Sequence, residues 1–170
     1  MLYKEFGNLD SAEEINEKAA KLLAAGDTDA VCRLAEENGI DKEDAEAYID
    51  GEEEMLCTGL MAAVGKLKME TKELEIGGEL SIWAGYVTEM STEVKDMAEA
   101  VRRKKKSLAE CMALLIRFSF ENKVQVSDLI LDITKVTHNG KEERMSKPLY
   151  LSGMTRADAK RIIREYYLGR

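Results

Sequence analysis

Residues 107–120 read SLAECMALLIRFSF, and this stretch decides the fold class. Ser107 followed by Glu110 forms a capping box, in which a serine and a glutamate three residues later satisfy free amides at a helix start. Apolar residues then occupy nearly every side of the predicted helix. We therefore expect this helix to be the central buried element of a helical core.

Helical patterns precede the central stretch. Apolar residues recur at helical spacing in residues 55–67, 80–87 and 94–101. Ser91 or Thr92 is expected to cap the last of these three helices. The chain contains a single proline, so almost all of it is free to adopt helix.

The segment after the central stretch is predicted to contain two more helices and a turn. Ser127 is expected to cap the first helix. The predicted inward face of that helix comprises Leu129, Ile130, Ile133 and Val136. Asn139-Gly140 predicts a turn and a short β-hairpin within residues 137–150. The last helix is expected to begin near Thr155.

Residues 1–54 predict a small acidic lobe of three helices. Ser11 with Glu14 forms a capping box, a second helix runs from about residue 28 to 37, and Asp41 can cap a third. We predict an all-α fold, a compact bundle of seven to nine helices. Its two parts are the three-helix lobe at 1–54 and a helical body at 55–170 with a basic C-terminal part.

Composition points to a cytoplasmic protein. No apolar run approaches the ~20 residues of a membrane span, and the N-terminus lacks the layout of a signal peptide. The three cysteines, Cys32, Cys57 and Cys111, are widely spaced within apolar helical patterns. We read them as reduced core thiols.

Charge is unevenly distributed along the chain, whose net charge is −8. Residues 1–54 carry 17 acidic and 5 basic side chains, residues 55–100 carry 8 and 4, and residues 101–170 carry 8 and 16. Such a chain can attract a cationic partner at one end and an anionic partner at the other. Alternatively, the two ends simply attract each other.

A run of five cations is the first candidate site. It comprises Arg102, Arg103, Lys104, Lys105 and Lys106. Successive cations repel one another, so the run favours contact with nucleic-acid phosphates. The alternative is a basic helix C-terminus that complements the helix dipole.

The second candidate site is LSGMTRADAKRII at residues 151–163, which resembles helix-hairpin-helix motifs. A glycine turn at Gly153 and a helix start at Thr155 could direct backbone amides at a phosphate. The cations expected beside it are Arg156, Lys160, Arg161 and Arg164. Ser152 and Thr155 depart from the motif, and an amphipathic helix capped by Thr155 is the alternative.

The third candidate is an acidic helix-turn-helix at residues 31–50, with Ala35, Gly39 and Ala45 at the spacing of closely crossing helices. Residues 41–54 hold eight carboxylates and one lysine, so phosphates would repel this surface. The carboxylates that could instead dock in a basic protein groove are Glu43, Asp44, Glu46, Asp50, Glu52, Glu53 and Glu54. The alternative is a solvated acidic face.

The sequence predicts no catalytic, metal or cofactor site. Its single histidine, His138, lies in a polar loop without a cysteine or histidine at metal-ligand spacing. The carboxylates Glu121, Asp128 and Asp132 could in principle gather around a metal. Asp128 is better explained as a first-turn residue favoured by the helix dipole.

Residues 101–131 read VRRKKKSLAECMALLIRFSFENKVQVSDLIL and resemble the central part of PcfK-like proteins of conjugative elements in Firmicutes. In that family a basic K-x-x-K-S-L-x-x-C stretch opens a helix and a V-S-D follows. The opening LYKEFGNLDSAEEINEKA and the closing AKRIIREYYLG look like small accessory proteins of gut-bacterial phages and conjugative elements. Some PcfK-like proteins are anti-CRISPR proteins that inhibit type II CRISPR nucleases.

The resemblance and the charge layout together imply a function. We expect a non-enzymatic mobile-element protein that binds a nucleic acid or a nucleoprotein, namely a CRISPR effector nuclease or its guide RNA or DNA. The alternative is a protein–protein interaction module, either a conjugation accessory subunit or a homodimer, without nucleic-acid contact. An exposed apolar patch would favour that alternative.

Overall fold

The structure is a computed structural model that describes residues 3–170. Within that range the chain forms nine helices and two short antiparallel strand pairs, which confirms the predicted all-α bundle with a short hairpin. The helices are α1 (Ala12–Ala24), α2 (Thr28–Glu37), α3 (Lys42–Ile49), α4 (Gly59–Glu73), α5 (Glu79–Glu93), α6 (Lys95–Arg102), α7 (Leu108–Glu121), α8 (Asp128–Ile133) and α9 (Arg156–Leu168). The strands are β1 (Val124–Gln125), β2 (Lys135–His138), β3 (Lys141–Arg144) and β4 (Tyr150–Leu151).

Two apolar clusters build the interior of the protein. The first joins α1–α3 with the segment before α4, and its fully buried residues include Ile15, Val31 and Leu34. The second is formed by α4, α5, α6, α7 and α9. The clusters meet inside α4, where Ala62 belongs to the first and Ala63 to the second.

Helix α4 begins at Gly59, four residues later than the helical pattern from Met55 suggests. The side-chain amide of Asn16 prevents the earlier start, because it donates to the carbonyl oxygen of Cys57 (2.8 Å) and accepts from the Cys57 amide (3.0 Å). These bonds hold residues 56–57 against α1 in a non-helical conformation. Thr58 then caps the helix.

The predicted cap at Ser91 or Thr92 is wrong, because both residues belong to α5. Their hydroxyls donate to the carbonyl oxygens of Val87 (2.8 Å) and Glu89 (2.7 Å) in the preceding turn. Val94 instead separates α5 from α6, with extended backbone angles. Helix α6 therefore begins without a hydrogen bond from a capping side chain.

Helix α7 is buried on one side only, which corrects the prediction that it is surrounded by core. Its first half contributes Leu108, Cys111, Met112 and Leu115 to the second cluster. Near its end Phe120 is 72% exposed. The neighbouring helices therefore leave apolar side chains of the last turn uncovered.

The predicted inward face of α8 points outward. Leu131 is the buried residue of this helix, whereas Leu129 and Ile133 are 79% and 83% exposed. Only the side of α8 that carries Leu131 packs against the rest of the fold, while Lys147 Nζ lies 2.6 Å from Asp132 and 3.9 Å from Asp128 in ion pairs that stay at the surface.

The strands form two separate two-stranded ribbons. Strand β1 pairs with β4, placing Val124 opposite Leu151. Strands β2 and β3 form the predicted hairpin, and Asn139 and Gly140 form its turn with positive φ angles. No helix within residues 3–170 has the length and apolar character to cross a membrane.

The turn between α2 and α3 packs directly on α4 through two glycines. Gly39 has a φ of +70°, and a Cβ there would lie 2.4 Å from the carbonyl oxygen of Gly65. A Cβ on Gly65 would lie 2.2 Å from the carbonyl oxygen of Asn38. Real Cβ atoms do not approach backbone so closely. The contact between the two clusters therefore requires glycine on both sides.

We predict that Gly65→Ala destabilises the protein. Alanine normally stabilises a helix interior by about 1 kcal/mol relative to glycine, but here the backbones must separate, at a net cost of about 1–3 kcal/mol. The matched control is Gly85→Ala in α5, where a Cβ meets nothing within 4 Å. Urea unfolding should show opposite signs for the two variants, and a stabilised Gly65→Ala protein would contradict the close packing.

Candidate interaction surfaces

Arg102, the first residue of the basic run, is 1% exposed. Its guanidinium donates to Asn38 Oδ1 (2.5 Å) and to the carbonyl oxygen of Ala62 (3.4 Å). Burial lowers the pKa of the guanidinium from its usual value. The prediction of a phosphate contact is wrong for Arg102, because this side chain joins α6 to the α2–α3 turn inside the protein.

The rest of the run folds around a second buried cation, Lys66 of α4. Its ammonium donates to the carbonyl oxygens of Val101 (3.0 Å), Arg103 (2.7 Å) and Lys106 (2.5 Å). Burial lowers the pKa of Lys66, and the charge of Glu70 opposes this effect. One ammonium therefore supplies the donors for the carbonyls at the end of α6 and in the following loop.

Glu70 fixes the other end of the same loop. This buried carboxylate lies one helical turn after Lys66 and accepts a hydrogen bond from the backbone amide of Leu108 (3.1 Å) at the start of α7. Burial raises the pKa of Glu70, while Lys66 and the Leu108 amide act in the opposite direction. Helix α4 thus positions both ends of the α6–α7 loop.

The four remaining cations of the run differ in accessibility. Lys106 donates to the carbonyl oxygen of Tyr166 and lies 4.5 Å above its ring. Lys104 lies 3.8 Å from a carboxylate oxygen of Glu14. The side chains of Arg103 and Lys105 are exposed and have no hydrogen-bond or ion-pair partner among residues 3–170.

The start of α9 is already occupied by a carboxylate. Thr155 Oγ1 accepts from the Asp158 amide (3.2 Å), and Asp158 accepts from the Thr155 amide (3.1 Å) and hydroxyl (2.6 Å). These hydrogen bonds lower the pKa of Asp158. A Cβ at Gly153 would lie 2.1 Å from the carbonyl oxygen of Asn122, so this glycine serves backbone packing. The alternative of a Thr155-capped helix describes this site better than phosphate binding.

The cations of α9 are mostly paired within the protein. Arg156 and Lys160 converge on Glu89 of α5, at 2.8 and 3.0 Å. Arg161 lies 3.0 Å from Glu165. Arg164 is exposed and has no partner among the described residues.

The predicted acidic face lies on and after α3. Glu46 pairs with Lys42 at 2.9 Å, and Asp44 is half-buried. The exposed members of the face are Glu43, Glu46, Asp50, Glu52, Glu53 and Glu54. Their docking role stays a prediction, since a solvated surface would look the same.

A cleft of about 800 Å³ lies between the start of α1, the start of α4 and α6. Its cationic lining residues are Lys95, Arg102 and Arg103, and its carboxylates are Asp10, Glu13, Glu93 and Glu99. The lining thus combines three cations with four carboxylates. Its electrostatics therefore favour neither an anion nor a cation.

The largest departure from the sequence analysis is an exposed apolar surface between the end of α7 and β4. We define the apolar surface as eight side chains that are 40–83% exposed: Phe120, Val124, Leu129, Ile130, Ile133, Val136, Tyr150 and Leu151. The sequence signal was present, since Leu129, Ile130, Leu131 and Ile133 place apolar side chains on more than one side of the predicted helix. Periodicity identifies an apolar face but does not say what covers it.

Comparisons with protein-family models, curated proteins and solved structures found no match. The resemblance to PcfK-like proteins therefore stays a prediction. No group of three or more potential metal ligands occurs among residues 3–170. The geometry thus offers surfaces for macromolecules, namely the apolar surface and the unpaired cations.

We predict that removing the charge of two neighbouring arginines has different effects on stability. Arg102→Met leaves Asn38 Oδ1 and the Ala62 carbonyl without a charged donor, which should lower the free energy of unfolding by about 2–4 kcal/mol. Arg103→Met removes an exposed side chain and should leave stability unchanged. Thermal and urea unfolding measure both, and equal stability of the two variants would contradict the buried role of Arg102.

Proposed function

We propose that this chain is a non-enzymatic binding protein that docks on a partner protein through the apolar surface. The observation that carries the proposal is the exposure of the eight apolar side chains between Phe120 and Leu151. Soluble monomers rarely expose large apolar patches, and those that exist are commonly interaction sites. This is the second of the two functions considered from the sequence.

The size of the apolar surface supports specific docking. At about 100 Å² of apolar area per fully exposed side chain, the eight residues expose roughly 500 Å² in total. A typical stable protein–protein interface buries about 800 Å² on each partner, of which somewhat more than half is apolar. The summed apolar area of the eight residues is therefore comparable with the apolar part of one side of such an interface.

The segment also offers backbone groups to a partner. Each ribbon has only two strands, and the residues of β1, β2, β3 and β4 are all exposed. Two-stranded ribbons are marginally stable alone, and a free edge can accept a further strand from another chain. Apolar anchors on α8 and unpaired strand edges together favour a protein partner.

The resemblance to PcfK-like proteins adds a candidate for that partner. A type II CRISPR nuclease with its guide RNA would offer both protein and nucleic-acid surface. On this proposal the apolar surface contacts the protein, and inhibition follows from occupying a surface that the nuclease needs.

We expect Leu129→Glu combined with Ile133→Glu to lower the captured amount of a specific partner at least about tenfold. The reason is that two apolar side chains that the partner would bury become charged. The experiment is a comparative pull-down from a bacterium that carries a type II CRISPR system, before and after nuclease treatment. Mass spectrometry quantifies each protein captured.

The matched control is Ile82→Glu, which charges an exposed apolar residue of α5 outside the apolar surface. A protein that is lost with the double variant, retained with the control and insensitive to nuclease supports the proposal. The proposal fails when every specific partner, a second copy of this chain included, is still bound after the double substitution. Circular dichroism confirms that both variants remain folded.

A second candidate function is binding of a polyanion through the unpaired cations. The observation that favours it is the exposure of Arg103 and Lys105 on a loop whose backbone Lys66 holds in place. Such a loop loses little freedom on binding. Arg164 is the unpaired member of the predicted α9 cations, whereas the ion pairs of Arg156 and Lys160 with Glu89 would have to exchange partners.

We predict that any nucleic-acid affinity depends on Arg103 and Lys105. Replacing both by Gln should reduce the slope of log affinity against log salt by about 2, since each lost phosphate contact contributes about 0.9. The control, Lys21→Gln with Lys42→Gln, makes the same charge change on the acidic lobe. Fluorescence anisotropy with short DNA and RNA duplexes measures the slopes, and absence of binding at low salt would rule out this function.

A further inference from the structure

We propose that the occupant of the apolar surface is a second copy of this chain, so that the protein forms a symmetric dimer whose two-fold axis passes beside Val136 of β2. The inference rests on the proposed function, because it names a second copy, in place of a CRISPR nuclease, as the partner of the same surface. Three features argue for it: the charge of the segment, its area and the pattern of the free strand edge.

Charge favours self-association through this segment rather than another. Two copies with a net charge of −8 repel each other, most strongly through residues 1–54. Residues 116–151 carry six basic and five acidic side chains, so the segment is close to neutral. Two copies that meet through residues 116–151 therefore bring little like charge together. The exposed apolar area is also comparable with the apolar part of what one partner of a standard-size interface buries.

The hairpin register determines which backbone groups are free. His138 lies opposite Lys141 across the two-residue turn, and Val136 lies opposite Glu143. In a two-residue hairpin the pair next to the turn is hydrogen-bonded, and bonded and non-bonded pairs alternate along the strands. The backbone groups of His138 and Val136 therefore face β3, and those of Lys135 and Thr137 face the free edge.

This alternation restricts how β2 can pair with its own copy. Residues opposite each other in antiparallel strands must both point toward the shared edge or both away from it. Axes at Val136 and at Thr137 both satisfy this rule, but only the axis at Val136 places an apolar side chain opposite itself, with Lys135 bonded to Thr137 of the second copy. Val136 then faces Val136 of the second copy in a non-hydrogen-bonded pair, where side chains approach most closely.

The free edge of β3 cannot pair with its own copy so well. The same rule places the axis at Glu142 or at Glu143, and either choice puts a glutamate opposite itself. Like charges directly opposite each other destabilise a strand pair. Strand β2 is therefore the edge for a second copy, and Ile133, which ends α8, lies two residues before it.

The inference is tested by a crosslink at the proposed axis. A non-hydrogen-bonded pair places Cα atoms about 4.5 Å apart, within the range that a disulfide spans. In a Cys32→Ser background, Val136→Cys should give a covalent dimer on mild oxidation, at least about tenfold faster than Glu143→Cys on the neighbouring strand. Non-reducing electrophoresis measures the rates, and Cys57 and Cys111 are buried.

Sedimentation of the unmodified protein provides the second measurement. The inference is supported if the protein is a dimer at micromolar concentration, if Val136→Glu dissociates this dimer and if Ile82→Glu leaves it intact. A monomer over the whole concentration range, a dimer insensitive to Val136→Glu, or equal crosslinking at both positions overturns it. The pull-down with the α8 variants decides the proposed function separately, because a monomeric protein can still use the apolar surface for another partner.

Discussion

The ammonium of Lys66 is the interaction on which the arrangement of the helical body depends. Three backbone carbonyls between Val101 and Lys106 converge on it at 2.5–3.0 Å. A helix that ends inside a protein must satisfy its last carbonyls, and here one side chain of α4 does so. Glu70, on the same side of α4, then receives the first amide of α7. The sharp connection between two core helices is thus built on two charged residues of a third helix.

The burial of Lys66 and Arg102 changes the role of the basic run at residues 102–106. Isolated buried charge is costly, so Lys66 and Arg102 are retained only with hydrogen-bond partners around them. Arg102 uses the α2–α3 turn for that purpose and thereby joins the two apolar clusters. The cations left on the surface are fewer than the sequence suggests. Cationic residues next to each other in the chain serve opposite purposes, one inside the fold and its neighbour in solvent.

The apolar surface is the opposite case, because its apolar side chains lie in solvent whereas Lys66 and Arg102 are buried. Leu108, Cys111, Met112 and Leu115 of α7 lie in a core that five helices complete. The segment from Phe120 to Leu151 is anchored by few residues, including Leu131 and the ion pairs of Lys147. Its remaining apolar side chains contribute little to the folded monomer. They gain their full hydrophobic free energy only when another chain covers them, which is why we place binding there.

Local patterns determined most of the helices, because caps and periodicity act within a few residues. Ser11, Asn139-Gly140 and Thr155 specify their helix starts and turn without help from the rest of the chain. Tertiary structure alone decided which side of each pattern is covered. Arg102 continues the helical spacing of Val94, Ala98 and Val101, whereas Arg103 does not. Even so, only the α2–α3 turn and α4 supply the partners that let a guanidinium lie inside the protein. Leu129 and Ile133 form an apolar face at the expected spacing, but burial requires a partner surface. Periodicity cannot provide that information, because a partner surface lies far away in the chain or in another molecule.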